Sequence, residues 1–214
     1  MEYILIGAGG HSKVIRDALS LEGKSVKGFF DDNQDDQKAG GIQYYGKIAD
    51  ILKCSNGFIA EHKFIIAIGN NSIRKQIGTL LEPKKLRYGR AIHPKSIIAS
   101  DVTIGEGSVI LANVVVNSAT SIGEHTILNT SSSIDHDNFI DDFVHISPGV
   151  HTAGAVEIGE GTHIGIGTNI LPMKKIGSWC IIGGGTLVNK DIDSNLLAYG
   201  VPVKVKKEGI NFEK

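Results

Sequence analysis

Branched apolar residues recur at every sixth position through the central and C-terminal parts of the chain. The positions are Ile98, Ile104, Ile110, Val116, Ile122, Leu128, Ile134, Ile140, Ile146, Ile158, Ile164, Ile170, Ile176, Ile182 and Val188. Thr152 alone interrupts the register, and no residue has been inserted or lost. A helix has a period of 3.6 residues and a strand a period of two, so neither generates this spacing. The spacing predicts a parallel β-helix of hexapeptide repeats, against the alternative of a β-sandwich with fortuitous spacing.

The other positions of each hexad agree with a triangular prism. Gly, Asn or Asp directly follows the branched residue in many hexads, as at Gly105, Asn117 and Asp135. Such residues tolerate the left-handed backbone that a tight corner needs. The residue four places after the branched one is mostly small or β-branched. With three hexads per coil, we expect about five coils filled by the branched residues, and a cap over residues 189–197.

The first third of the chain has the pattern of an α/β unit. An apolar strand at residues 3–6 leads into the turn Gly7-Ala8-Gly9-Gly10-His11-Ser12, and an amphipathic helix follows over residues 13–21. Glycines let the backbone approach a phosphate or a ribose, and the start of the helix offers free N–H groups. Strand, glycine turn and helix in this order are typical of the opening of a Rossmann-like fold.

Two further strands extend this unit. Residues 26–30 form a strand that ends at Asp31 and Asp32, about 20 residues after the glycine turn, where a ribose-binding acid is expected. A third strand at residues 64–68 precedes a helix that Ser72 can cap and that continues to about residue 81. The polar stretch between Asp31 and Gly41 indicates a mobile loop. The unit is half of a dinucleotide fold, sized for one nucleotide.

Composition narrows the class of protein. Lys and Arg number 22 against 23 Asp and Glu, and there is no basic run, so we expect no nucleic-acid partner. No apolar stretch is long enough to span a bilayer, and the opening residues do not resemble a signal peptide. Cys54 and Cys180 fit no metal-ligand spacing, and we expect no metal. These features predict a soluble protein of the reducing cytoplasm.

Three stretches carry a resemblance to a known family. They are Gly-Ala-Gly-Gly-His-Ser-Lys-Val-Ile from Gly7, Ala-Ile-Gly-Asn-Asn-Ser-Ile-Arg-Lys from Ala67, and Tyr-Gly-Val-Pro-Val-Lys from Tyr199. With the order of the two parts, they resemble the sialic acid O-acetyltransferase and PglD-type nucleotide-sugar N-acetyltransferase family. The resemblance implies a Rossmann-like α/β domain over residues 1–92, an all-β left-handed parallel β-helix with its cap over 93–206, and a tail over 207–214.

The resemblance also implies ligands and an assembly. In this family the N-terminal domain holds a nucleotide-linked sugar, acetyl-CoA lies along the β-helix as co-substrate, and the β-helices form a homotrimer. It implies that this chain makes a surface glycan. The positions implied for the sugar nucleotide are Gly7, Gly9, Gly10, His11, Asp31, Asp32 and Asn70.

His136 is the leading candidate for catalysis. It is flanked by Asp135 and Asp137, and a neighbouring carboxylate favours the charged imidazole and can orient the ring. Acetyl transfer to an amine needs a base, and His is the side chain best matched to neutral pH. The family has His followed by an acidic residue here, so the resemblance makes His136 and Asp137 catalytic, although Asp137 stands where Glu is often found. His136 and His145 avoid the inward phase and are half a coil apart, so we expect them near the prism surface, with the active site between protomers.

The positions implied for CoA come from the same resemblance. They are His145, Ala153, Gly154, Gly165, Ile166, Gly183, Gly184 and Lys204. A backbone N–H in the Ala-Gly pair would polarise the thioester carbonyl. The later glycines would leave a track for the pantetheine arm, and the lysine would meet a CoA phosphate.

Three other interpretations stay open. The closest is O-acetylation of sialic acid, which no sequence feature separates from N-acetylation. A β-helix metalloenzyme needs three converging imidazoles, and only His145 and His163 are eighteen residues apart, the spacing of stacked coils. A non-catalytic nucleotide-binding scaffold is the third. We expect His125, His151 and His163 to be surface residues without a catalytic role.

Overall fold

The computed structural model describes residues 2–33 and 41–208. Most of the loop predicted to be mobile and the last residues of the predicted tail lie outside these ranges. Within them, the chain forms an α/β domain followed by a three-sided parallel β-helix. No helix in these ranges combines the length and the apolar character that crossing a bilayer requires.

The N-terminal domain contains one parallel sheet with the strand order β3-β2-β1-β4. Its strands are β1 (Glu2–Ile6), β2 (Val26–Phe30), β3 (Gln43–Gly46) and β4 (His62–Ile66). Its helices are α1 (Gly10–Leu21), α2 (Asn56–Glu61) and α3 (Asn71–Leu81), with 3-10 turns at Ile48–Lys53 and Glu82–Lys84. The central strand β1 is buried after its first residue, as its apolar run predicts. Strand β3 is absent from the sequence prediction because this half-exposed edge strand has no apolar run.

Asn70, and not the predicted Ser72, caps helix α3. The Asn70 side-chain oxygen accepts hydrogen bonds from the Ile73 N–H at 3.0 Å and from the Ser72 hydroxyl at 2.8 Å. Asn70 has the extended backbone of an N-cap, whereas Ser72 already lies inside the first helical turn. The amide oxygen predicted to contact the sugar nucleotide is therefore engaged at a helix end.

Two-residue strands at intervals of six residues form the prism. They are β5 (Ala91–Ile92), β6 (Ile97–Ile98), β7 (Thr103–Ile104), β8 (Val109–Ile110), β9 (Val115–Val116), β10 (Ser121–Ile122), β11 (Ile127–Leu128), β12 (Ser133–Ile134), β13 (Phe139–Ile140), β14 (His145–Ile146), β15 (His151–Thr152), β16 (Glu157–Ile158), β17 (His163–Ile164), β18 (Asn169–Ile170), β19 (Lys175–Ile176), β20 (Ile181–Ile182) and β21 (Leu187–Val188). The last two strands of the described chain are longer, β22 (Leu196–Tyr199) and β23 (Lys204–Glu208). From β5 to β18, each strand pairs in parallel with the third strand after it, as β14 does with β17.

The three faces of the prism are sheets of five, six and eight strands. Corner I joins the six-stranded to the five-stranded sheet and includes residues 135–138 and 153–156. Corner II joins the eight-stranded to the six-stranded sheet and includes residues 165–168 and 183–186. Corner III joins the five-stranded to the eight-stranded sheet and includes residues 123–126 and 141–144.

The predicted β-helix and its interior are confirmed. The branched residues from Ile110 to Val188 are at most 2% exposed, and Thr152 fills the same inward position at 5%. The prism is longer than predicted, because Ala91–Ile92 already pairs with β8, ahead of the boundary expected after residue 92. Strand β22 pairs with β20 at the other end, so the chain makes about six coils instead of five.

The left-handed residues of the corners lie three positions after the branched residue, not one position as predicted. Among them, His125, Asp137 and Trp179 have φ angles of 52°, 57° and 56°. The residue directly after the branched one instead faces the neighbouring coil. At Gly105 a side chain would overlap the backbone of that coil, and the Asp135 carboxylate accepts a hydrogen bond from the Asn117 side chain on the preceding coil at 2.9 Å. The hexad pattern in the sequence therefore reflects coil-to-coil contact more than backbone handedness.

A hairpin closes the last coil. β22 pairs in parallel with β20 and antiparallel with β23, and the cis peptide bond Val201–Pro202 lies between them. Ile192, within the predicted cap, is 4% exposed and forms a bridge to Ile176. The first residues of the predicted tail belong to β23, which supplies a partner to the strand edge that would otherwise end the sheet.

Helix α3 of the N-terminal domain docks on corner III. A Cβ on Gly78 would lie 3.5 Å from the Phe143 ring, an ordinary van der Waals distance, so this turn of the helix packs against the ring. The Asn71 amide donates to the Gly161 carbonyl at 3.0 Å. On the other side of the sheet, β1 and α1 share a buried cluster with residues of β5 and β8. The N-terminal domain therefore covers part of the eight-stranded face.

Candidate active site

His136 and Asp137 lie in corner I, in the turn between β12 and β13. The His136 Nδ1 atom is 2.6 Å from Asp137 Oδ2, and the two side chains are 59% and 60% exposed. A carboxylate accepts hydrogen bonds, so Nδ1 carries the proton and Nε2 of the neutral ring keeps a free lone pair. The His136 main-chain N–H donates to Asp135 Oδ1 at 2.8 Å. The turn therefore presents Nε2 as a base.

The pKa of His136 is raised above its ordinary value. The hydrogen bond with Asp137 is the largest cause, and the charge of Asp135 adds to it. Asp135 itself has a lowered pKa because it accepts hydrogen bonds from the Asn117 side chain and the His136 N–H. Because the imidazole is exposed, its proton affinity comes from these partners and not from burial.

Gly154, on the next coil, lies directly against the His136 imidazole. A Cβ at this position would stand 2.5 Å from His136 Cε1 and 2.7 Å from Nε2, so only glycine leaves room for the ring. The flanking N–H groups of Ala153 and Ala155 donate to the Ile170 and His136 carbonyls at 3.0 and 2.9 Å. Within the described chain the Gly154 N–H has no hydrogen-bond partner. A free main-chain donor beside a base can stabilise negative charge on a carbonyl oxygen.

Four further positions predicted for CoA, Gly165, Ile166, Gly183 and Gly184, lie at corner II, across the six-stranded sheet from corner I. A Cβ on Gly165 would stand 2.5 Å from the Gly184 nitrogen, and one on Gly183 would stand 2.7 Å from Tyr199 Cβ. Coil packing therefore already accounts for these two glycines. A Cβ added to Gly184 would lie 3.0 Å from the Ile166 side chain. Ile166 is itself 64% exposed, so this part of the corner is open to solvent.

Lys204, the last position predicted for CoA, begins β23 and is exposed. Its main chain is paired with Tyr199 across the terminal hairpin. Because β22 belongs to the eight-stranded sheet, Lys204 lies at the C-terminal end of the prism, near Gly183, which Tyr199 covers. The hairpin thus groups Lys204 with corner II and not with His136.

Three histidines meet where the N-terminal domain covers the eight-stranded sheet. The His145 and His163 rings have centroids 4.9 Å apart on successive coils, and His11 at the start of α1 lies 6.5 Å from His145. We call His11, His145 and His163 the histidine cluster. The eighteen-residue stacking of His145 and His163 is as predicted, but His145 is not a free surface residue. Its Nδ1 faces the Gly69 carbonyl at 3.3 Å.

The histidine cluster is electrically neutral at physiological pH. Burial, with the neighbouring His163 and Arg74, lowers the pKa of His145 to about 3. Burial and the charge of Arg74 lower the pKa of His11 to about 4. The His11 Nε2 atom is buried without a partner in the described chain. The cluster can therefore donate and accept hydrogen bonds to a ligand but does not contribute positive charge.

Arg74 joins the two domains beside this cluster. Its side chain is 1% exposed, and its guanidinium donates to the carbonyls of His125 and Phe143, each at 2.8 Å, across the interface. On its own side it donates to the Ile68 carbonyl and the Asn71 side chain, each at 2.9 Å. All these acceptors are uncharged, and burial lowers the pKa of Arg74 to about 9.

His125, predicted to be a surface residue, is instead buried, with 5% of its surface exposed. Its ring stacks on Phe143 with centroids 5.0 Å apart and meets Tyr88 edge-on at 4.4 Å. The prediction was wrong because the docking of the N-terminal domain on corner III cannot be seen in the hexad pattern. His151 is exposed, as predicted.

The glycine turn lies at the carboxyl end of β1, beside the end of β2. Asp31 Oδ2 accepts the Ala8 N–H at 2.6 Å, which holds this acid against the turn. Asp32 is directed elsewhere, because its side chain accepts the Ile48 N–H at 3.0 Å. Of the two acids predicted to face the ligand, Asp31 therefore lies beside the glycine turn, and its contact with a ligand stays a prediction.

The three glycines of this turn differ in their surroundings. Gly7 has a φ of 106°, and a Cβ there would lie 2.8 Å from the Ile68 side chain, so the fold itself requires glycine. A Cβ on Gly9 or Gly10 would meet no described atom within 4 Å. Among the described residues, no side chain caps helix α1. The free helix start beside open glycine surface suits the phosphates of a nucleotide.

The structure thus separates the predicted site residues into three groups. His136, Asp137, Ala153 and Gly154 meet at corner I, and the other CoA candidates except His145 lie around corner II. His11 and His145, predicted for different ligands, meet at the domain interface. Sequence reasoning missed Arg74, whose only signal was its place in a family-like stretch. It also missed Asn138, although an amide at a position that is mostly small or β-branched is visible in the repeat.

Comparisons with known proteins agree with this architecture. The family described as the PglD N-terminal domain matches residues 2–80. UDP-N-acetylbacillosamine N-acetyltransferase of Bacillus subtilis (strain 168) is 35% identical over 108 residues, covering 50% of this chain and 50% of that protein. The chain thus aligns with about half the length of this curated relative.

Two solved structures match nearly the whole chain. The acetyltransferase domain of PglB from Neisseria gonorrhoeae FA1090, in complex with acetyl coenzyme A, is 31% identical with a TM-score of 0.88, covering 96% of this chain and 98% of that one. PerB from Caulobacter crescentus, in complex with CoA and GDP-perosamine, is 30% identical with a TM-score of 0.86, covering 97% and 98%. The chain therefore belongs to the PglD-type family of sugar acetyltransferases, in which a Rossmann-like domain precedes a left-handed β-helix.

Proposed function

We propose that this protein transfers the acetyl group of acetyl-CoA to an amino group of a nucleotide-linked sugar used for a surface glycan. The observation that carries the proposal is the contact between a carboxylate-held His136 and Gly154, whose N–H is free. Base and oxyanion donor are the two groups that acyl transfer to an amine requires. The similar PglB domain and PerB, solved with acetyl coenzyme A or CoA, support the choice of donor.

In the proposed reaction His136 acts as the general base. Its Nε2 takes a proton from the sugar amine as the nitrogen attacks the thioester carbonyl, while Asp137 keeps the other ring nitrogen protonated. Positive charge that develops on the imidazole is stabilised by Asp137 and Asp135. The Gly154 N–H donates to the carbonyl oxygen as negative charge develops there; the C–S bond then breaks, and the leaving CoA thiolate takes up the proton held by the His136 imidazolium.

The nucleotide is proposed to bind on the N-terminal domain. The free start of α1 and the open surface at Gly9 and Gly10 suit its phosphates, and Asp31 beside them suits its ribose. His11 would contribute its unpartnered Nε2. PerB, solved with GDP-perosamine, supports a nucleotide-linked amino sugar over free sialic acid.

A homotrimer is part of the proposal. Corner I and corner II of one chain lie on opposite edges of the six-stranded sheet, so the His136 group and the Ile166 group do not meet within one protomer. Side-by-side packing of a second copy would bring corner I of one chain against corner II of the next. Sedimentation velocity with and without CoA tests this, and a protein that stays monomeric while active would contradict it.

The acetyltransferase proposal is tested by free-thiol release from acetyl-CoA with UDP- and GDP-linked amino sugars and free sialic acid. We expect turnover with one amino sugar nucleotide and a loss of about 100-fold or more in His136→Ala. His151→Ala is the matched control, because His151 is an exposed histidine outside the site. Equal turnover in His136→Ala would contradict the proposed base, and activity only on sialic acid would contradict N-acetylation.

No observation favours the metalloenzyme. In residues 2–33 and 41–208, no three His, Cys, Asp or Glu side chains converge as a set of metal ligands. Activity that persists after dialysis against a chelator is the expected result.

A further inference from the structure

Asn138 departs from a pattern that most hexads follow, in which the residue four places after the branched one is small or β-branched; Lys174 is the other exception. At this position the hydroxyls of Ser108, Thr120, Thr126, Thr162 and Thr168 bridge two coils, whereas the Ser132 hydroxyl is buried without a partner in the described chain. Thr120, Thr126 and Thr162 each donate to a carbonyl fifteen residues on, at 2.9, 2.8 and 2.7 Å. A hydroxyl at this position is therefore a sufficient link between coils.

Asn138 makes that link and two more. Its side-chain nitrogen donates to the Ala153 carbonyl, fifteen residues on, at 2.9 Å. The same nitrogen donates back to the Asp135 carbonyl at 2.8 Å and to the His136 carbonyl at 3.1 Å. The two additional acceptors belong to the turn that carries the base, and the third belongs to the segment that carries Gly154.

The amide is retained at a cost in stability. Asn138 is 2% exposed, and its Oδ1 atom is buried without a hydrogen-bond partner in the described chain. A buried acceptor without a partner destabilises a protein. Threonine would keep the bond to Ala153 and would remove this orphaned oxygen. Natural sequences break a local rule of this kind mainly at functional sites.

We propose that Asn138 is a positioning residue for His136, an inference that rests on the proposed acetyltransferase function. By holding the carbonyls of Asp135 and His136 against the Ala153 segment, the amide fixes the main chain from which the imidazole projects. The ring then stays over Gly154, and Nδ1 stays within reach of Asp137. Asn138 itself touches no reacting group.

The test is Asn138→Thr, a residue that the same position accepts in neighbouring coils. We expect an equal or higher melting temperature, a fall in kcat of at least about tenfold, and KM values within about twofold of the wild type. The His136 Nδ1 bond to Asp137 should be populated less. The pKa of His136, measured by NMR titration of its Cε1–H resonance, and the acidic limb of kcat/KM should both move to lower pH.

Two variants complete the experiment. Thr162→Val removes a hydroxyl link of the same phase at corner III and should leave kcat and the His136 titration unchanged. Asn138→Ser supplies the measurement if the threonine does not fit. An unchanged His136 titration and kcat in the Asn138 variants, or equal losses in Thr162→Val, would overturn the inference. A shifted titration in a protein that releases no thiol would instead uphold the positioning role and contradict the proposed function.

Discussion

Gly154→Ala isolates the contact between His136 and the neighbouring coil. The backbone of Gly154 is outside the left-handed region, so alanine is sterically allowed there apart from the added methyl group. That methyl group would stand 2.5 Å from His136 Cε1, whereas ordinary carbon contacts are about 3.5 Å or more. The imidazole must therefore move by about 1 Å. With 59% of its side chain exposed, it can turn into solvent without disturbing the core.

The predicted consequence is loss of rate without loss of fold. A displacement of about 1 Å at the reacting group costs roughly 100-fold in kcat, equivalent to about 2.7 kcal/mol in the activation free energy. The free energy of unfolding should change by less than about 0.5 kcal/mol. Thiol release measures the first quantity and urea denaturation the second. Gly57→Ala, on helix α2 with its nearest neighbour at 3.8 Å, controls for the substitution itself.

A double-mutant cycle decides whether the effect passes through the imidazole. If Gly154→Ala acts only by displacing His136, the substitution should be silent in a His136→Ala background. A wild-type kcat in Gly154→Ala would refute the contact. A further loss in the double mutant would refute the explanation, because it would show that the glycine acts through its own backbone.

Three further predictions follow from charge and burial. Asp137 raises the pKa of His136, so kcat/KM should fall as the pH drops through that raised pKa. Asp137→Asn should move this acidic limb of the pH profile to lower pH, and an unmoved limb would contradict the assignment of the base. His11 and His125 have pKa values of about 4 in the folded state, against 6.5 in the unfolded state. Between pH 4 and 6.5 the unfolded chain therefore binds more protons, so the free energy of unfolding should decline as the pH falls from about 6.5 to 4. A constant free energy of unfolding across that window would be contrary evidence. Arg74→Met should lower the free energy of unfolding by about 3–5 kcal/mol, because it leaves several buried carbonyls without a donor, and a loss below about 1 kcal/mol in urea denaturation would contradict this role.

The docking of the N-terminal domain on the prism fixes the tautomer of His145. Arg74 lowers the pKa of His145 by its charge, and it also binds the Gly69 carbonyl at 3.3 Å, the same oxygen that faces His145 Nδ1. A carbonyl only accepts, so Nδ1 of His145 is the protonated nitrogen. The Asn129 amide approaches the other ring nitrogen at 3.3 Å as donor. The tautomer of His145 is therefore fixed by one group from each domain.

The repeat in the sequence determined the β-helix, because one buried branched residue per hexad is a requirement that each hexad meets locally. Thr152 replaces the branched apolar residue of its hexad, but its side chain is still buried inside the prism, so the β-helix continues through it. The glycine turn, strands β1 and β2 and helix α3 could also be predicted, since they depend on apolar runs and turn residues a few positions apart. The pairing of His136 with Asp137 was visible because the two are adjacent.

Only the tertiary structure decided which distant residues meet. Gly154 lies against His136 because one coil returns above another after eighteen residues, and His11 meets His145 because a separate domain docks on the prism. Corner II is separated from His136 by a whole sheet, although the positions predicted for CoA include residues of both corner I and corner II. His125 became buried and Arg74 became a link between domains for the same reason. Docking surfaces are chosen by shape and by hydrogen-bond partners remote in sequence, and no local period records them.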